Sequence, residues 1–83
     1  MKKYALCSLV KDENGDVYNQ IPRIYNTKEE AIWILKDDWK RKKTAEPLIK
    51  EKSGFTDKTK EKLVYCYDDG SMNIVNIFEV EVE

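Results

Sequence analysis

Histidine is missing from this 83-residue chain. With it go the usual general base at neutral pH, the commonest metal ligand and every Ser-His or Cys-His nucleophilic pair. Cysteine is scarce: Cys7 and Cys66 are too far apart for a CxxC redox pair and too few for a four-ligand zinc site. They read as small core or sheet residues, and a disulfide between them requires their strands to be neighbours. Arginine is nearly as rare. Arg23 and Arg41 stand against thirteen lysines, so the bidentate fork that reads guanine or clamps phosphate is almost absent and sequence-specific nucleic-acid recognition is disfavoured. Long apolar runs are lacking too. The run from Tyr4 to Val10 is broken by Lys11, Asp12 and Glu13. Cys7 comes too early in it for a lipoprotein signal, and no stretch approaches the ~20 residues of a membrane helix. A cytoplasmic, reducing setting with no membrane contact is the expectation.

What is present describes one small domain. With 41% hydrophobic and 37% charged residues the chain is too apolar for a disordered tail and too short for two cores. A domain of this size buries about 60 to 65% of its unfolded surface, which sets stability on the order of 5 to 10 kcal/mol. The net charge is −1 but unevenly spread: positions 36–62 carry ten basic and six acidic residues, and positions 63–83 carry five acidic residues and no basic one.

Two hairpins and a helix are legible. Lys3 to Lys11 is rich in strand formers, Asn14-Gly15 suits a two-residue type I′ turn, and Val17 to Tyr25 resumes the extended pattern. That turn sets Lys11 opposite Tyr18 and Ser8 opposite Ile21. Pro22 cannot donate to a ladder and marks the second strand as an edge, leaving the first central. Thr27-Lys28-Glu29-Glu30 matches a capping box, and the helix it opens runs to about Lys43, acidic in its first turn and basic in its last. Ala31, Ile32, Leu35 and Trp39 share its apolar stripe with Ile34 at the flank, while Trp33 projects opposite, either as an exposed partner anchor or, as is commoner for a ring in so small a domain, covered by the connection that follows the helix. Pro47 ends the helix, and 44–61 reads as a long, mobile connection in which Phe55 is either a packing anchor or a working tip. Lys62 to Tyr67, Asp69-Gly70 and Met72 to Val82 form the second hairpin, with Tyr67 facing Met72 and Val64 facing Val75. Alternation then sends Leu63, Tyr65, Tyr67, Met72, Ile74, Phe78, Val80 and Val82 toward the helix and leaves Val64, Cys66, Val75 and Ile77 on the outer face. The expected fold is α+β: a single domain in ββαββ order, a four-stranded, mainly antiparallel sheet with one helix packed on one face.

No catalytic constellation stands out. Asp37 and Asp38 are adjacent on a helix and point about 100° apart, so an enzyme is not expected, nor is any cofactor or metal. Asp12 to Asp16 has the wrong spacing for a calcium loop. Asp68 and Asp69 with Glu79, Glu81 and Glu83 read as solubilising residues at hairpin ends before they read as a cation site. The leading expectation is a small non-enzymatic protein-binding module, regulatory or inhibitory, of the kind carried as accessory proteins by bacteria and their mobile elements. Its contacts would come from Trp33, Phe55, Val64, Val75 and Ile77, with a homodimer through the outer face or an edge strand as one form of partner. The alternative is a weak nucleic-acid binder, insensitive to sequence, using Lys40, Arg41, Lys42 and Lys43 together with the lysines of the connection.

Overall fold

Two ten-residue strands form the spine of the protein. β1 (Lys2–Lys11) and β6 (Met72–Glu81) pair antiparallel along their whole length, from Lys2 opposite Glu81 to Lys11 opposite Met72. The computed structural model describes residues 1–82, so Glu83 lies outside the described residues. β2 (Val17–Asn19) and β3 (Arg23–Tyr25) flank β1 on one side. On the other side β5 (Lys62–Cys66) pairs with β6, and β4 (Gly54–Phe55) pairs with β5. The sheet is antiparallel with order β2-β1-β6-β5-β4, β3 also lying beside β1. The α+β plan with one helix and a central first strand holds; the strand count is six rather than four.

The two additional strands have local causes. Gln20, Ile21 and Pro22 interrupt the second strand because proline has no N–H for the ladder. The register therefore changes across the gap, from Leu9 opposite Asn19 to Leu6 opposite Arg23. β4 lies in the connection expected to be mobile. That segment is tied to the sheet: Ile49 N–H donates to the Cys66 carbonyl at 2.8 Å, and Cys66 N–H donates to Ser53 Oγ at 2.8 Å. Leu48 bridges Tyr67, and Lys28 pairs with Glu61 at 2.9 Å where the connection ends.

α1 (Lys28–Ala45) begins where the capping signal predicts. Thr27 Oγ1 accepts from Glu30 N–H at 3.1 Å, satisfying one of the free donors of the first turn. It ends at Glu46, whose extended backbone is what the following Pro47 demands. Ala31 and Leu35 are buried from it against Leu6, Leu63, Tyr65, Val75 and Ile77, with Ile32, Ile34 and Trp39 packed around them, in agreement with the stripe read from its spacing.

Both hairpins turn one residue differently from expectation, and this decides which face of β6 is buried. Gly15 N–H donates to the Asp12 carbonyl and Asp12 N–H to the Asp16 carbonyl; Gly70 N–H donates to Tyr67 and Tyr67 N–H to Ser71 in the same way. Only the glycines have positive φ, +92° at Gly15 and +94° at Gly70, and neither Asn14 nor Asp69 does. Each is thus a three-residue loop, a type I turn followed by a glycine bulge, rather than a type I′ pair. Val64 accordingly faces Ile74, and Leu63 faces Val75. A one-residue slip exchanges the faces of a strand. Val75 and Ile77 lie in the core under the helix, 4% and 9% exposed, and Met72, Ile74, Phe78 and Val80 alternate onto the opposite face.

Candidate functional site: the open face of the sheet

Alternation and register together define the sheet face that α1 does not cover. β1 contributes Lys3, Ala5, Cys7, Leu9 and Lys11; β6 contributes Met72, Ile74, Asn76, Phe78 and Val80; β5 contributes Lys62, Val64 and Cys66; and Ile24 stands on β3. Across the middle, Ile24, Ala5 and Phe78 form one cross-strand row. Ala5 is only 5% exposed because larger side chains stand on either side, while Ile24 and Phe78 are 56% and 53% exposed. No carboxylate stands among these positions, and the three lysines lie at their margins. Among the described residues no element lies over this face.

The fold distributes the sequence-derived candidates over both sides of the molecule. Val64 is on the open face as expected. Val75 and Ile77 are not, for the register reason above, and being buried they offer no contact surface. Phe55 pairs with Leu63 across β4 and β5 and packs against the core, with the Lys60 ammonium 4.9 Å from its ring; it is the anchor of the connection rather than its tip. Trp33 is 63% exposed on the outer side of α1, and the connection does not fold over it. Shallow hollows of about 320 and 270 Å³ flank it, the first lined by Glu29, Ile32 and Lys36, the second by Lys36, Asp37 and Lys40. Trp33 and the open sheet face are therefore on opposite poles and cannot serve one contact.

The basic end of the helix is largely occupied within the molecule. Arg41 reaches Asp37 at 3.2 Å and Asp38 at 3.4 Å. Lys42 lies 3.5 Å from Asp38 and 4.7 Å above the Tyr65 ring, and Lys43 stands 5.9 Å from the Trp39 ring. Asp38 also accepts from the Tyr65 hydroxyl at 2.6 Å. Burial, followed by this hydrogen bond to a carboxylate, raises the Tyr65 phenol well above its ordinary range, and burial with the neighbouring Glu46 does the same to Tyr67. These are protonated donors holding structure together and are poor proton acceptors.

The acidic residues of the second hairpin do not converge. Asp68 and Asp69 sit in the β5–β6 turn while Glu79 and Glu81 lie toward the far end of β6. Hydrogen bonds from the Ser71 hydroxyl and N–H lower the Asp69 carboxyl below its usual range, as expected of a turn residue. Cys7 and Cys66 are free thiols on the same open face, separated by β6; two strand spacings, about 9.6 Å, exceed the reach of a disulfide. No described helix is long and apolar enough to cross a membrane. The signal for the open face was in the sequence as the apolar even-numbered positions of β6, but the assumed turn assigned them to the core.

Compared with known proteins, the chain matches no protein-family model, no curated protein and no solved structure.

Proposed function

We propose that this protein is a non-enzymatic protein-binding module that docks through the open face of its sheet. The observation that carries the reading is the Ile24, Ala5, Phe78 row and the apolar side chains around it, left without a covering layer. An antiparallel sheet with one solvated face ordinarily alternates apolar inward and polar outward; β1 and β6 are apolar on both sides. Contiguous exposed apolar patches beyond a few hundred Å² mark interaction surfaces on soluble proteins. The marginal lysines, with no acid among the face positions, favour a partner whose own apolar surface is bordered by carboxylates.

Capture by the tagged full-length chain from a lysate of cells that express it, with nuclease present, tests the proposal. Phe78→Lys and Val80→Lys place a charge on the open face at positions already exposed, and each is expected to reduce retention of the specific partner at least about tenfold, the effect of an unpaired charge in an apolar contact. Trp33→Ala, on the opposite pole, is expected to leave that partner bound. Retention unaffected by both lysine substitutions would overturn the proposal, and so would retention that disappears with nuclease.

A further inference from the structure

We propose that the occupant of the open sheet face is a second copy of this chain, so that the protein is a two-fold dimer of back-to-back sheets with its helices outside. The inference rests on the docking reading above and names its partner. Size is the first argument. β1 and β6 over their ten residues each, β5 over five, and β2 and β3 over three each, at a spacing of about 4.8 Å and a rise of about 3.3 Å per residue, present on the order of 500 Å² per copy. A pair of such faces buries about 1,000 Å², the threshold for a specific interface. Shape is the second. The face is a sheet surface, and the surface that matches a twisted sheet is another sheet packed about 10 Å away.

Charge is the third argument. Both hairpin turns lie at one end of the sheet, since Lys11 faces Val17 and Met72 while Cys66 faces Met72. They bring Asp12, Glu13, Asp16, Asp68 and Asp69 together there, and none of these makes an ion pair among the described residues. Lys11 also stands on the face at that end, one lysine against five carboxylates, so the turn end is acidic on balance; at the other end Lys3 borders the face, bonded only to the neutral Asn26 side chain. A two-fold axis lying across the strands sets the turn end of one copy against the Lys3 end of the other, and does so twice. The contact is isologous, as closed dimers require. Both Trp33 side chains then remain on the outside of the pair.

Sedimentation equilibrium of the purified full chain over a dilution series reaching about 100 µM tests this, because an interface near the lower size limit dissociates in the micromolar range. The expected mass is twice 9.8 kDa at the upper concentrations, falling to the monomer for Phe78→Lys and Val80→Lys with unchanged far-ultraviolet dichroism, and unchanged for Trp33→Ala. Alkylation of the unaltered protein gives a second measure, independent of any substitution. Cys7 and Cys66 both stand on the face, and their reaction with a maleimide is expected to slow several-fold on going from dilute to concentrated protein. A wild-type monomer throughout, with alkylation independent of concentration, overturns the second copy; so does a dimer that both lysine variants leave intact. A monomer whose partner capture still depends on Phe78 removes only the second copy. One whose capture is indifferent to Phe78 removes the docking reading as well.

Discussion

Tyr65 fastens the helix to the sheet by more than apolar contact. Its ring is fully buried beside Leu35 and Leu63, tilted against Trp39 with centroids 6.1 Å apart, while its hydroxyl reaches Asp38 on α1. The carboxylate is held in turn by Arg41 and Lys42. Tyr65→Phe keeps the ring and removes one hydrogen bond to a charged acceptor, and is expected to cost about 1.5 to 3 kcal/mol in urea unfolding. Asp38→Ala removes the same bond together with the contacts to Arg41 and Lys42, so the double variant is expected to cost clearly less than the sum of the two single ones. Full additivity would show that the two side chains act separately. The sequence placed Asp38 on a helix and Tyr65 on an inward strand position; that they meet follows from how α1 lies on β5.

At the scale of the element, the two turns govern which residues the molecule exposes. Asn14-Gly15 and Asp69-Gly70 carry the composition of a type I′ turn, yet in both the bulge with glycine alone at positive φ is adopted. Side chains explain the preference. Asp12 Oδ1 accepts from the N–H groups of Asn14 and Asp16, and Asp69 Oδ1 accepts from the N–H and hydroxyl of Ser71, bonds that favour turns of this kind. Nothing lies within 4 Å of a Cβ built at Gly70, so Gly70→Ala has a conformational cost alone. It is expected to lose about 1 to 2 kcal/mol in denaturant unfolding with the register intact. An unchanged midpoint would mean that the turn tolerates a side chain at positive φ. The helix was legible from Thr27 to its end because cap, stripe and proline agreed. The connection was not, because isolated hydrogen bonds to Cys66 and a two-residue strand leave no periodicity.

For the whole molecule, one helix on one sheet supplies a single small core, and its dependence on pH follows from the groups that core perturbs. Tyr65 and Tyr67 hold their protons more firmly when folded than the unfolded chain does. A group whose pKa rises on folding contributes stability that is complete below its unfolded value, about 10 for tyrosine, and lost as pH climbs above it. Unfolding free energy is thus expected to fall with pH in the alkaline range, and the phenolates of Tyr65 and Tyr67 to appear together with loss of secondary structure. Their ionisation in a chain whose dichroism is still native would contradict the burial described here. At neutral pH neither group titrates and this term is constant.

From the sequence alone came the α+β class, the helix and its buried stripe, the central first strand beside a proline-marked edge, the placing of Trp33 on the side of the helix away from that stripe, and the absence of histidine chemistry. Each depends on spacing within one segment or on composition, which no tertiary contact alters. Which face of β6 is buried, and so which residues make up the apolar outer face, where Phe55 and the 44–61 connection lie, and that this connection leaves Trp33 uncovered were decided only by the tertiary structure. The reason is a strand's period of two: a single residue in the turn exchanges inside for outside along all of β6, and both its faces are apolar enough to enter a core. Packing against Ala31 and Leu35 made that choice. It put Val75 and Ile77 under the helix and Ile74 and Phe78 on the open face.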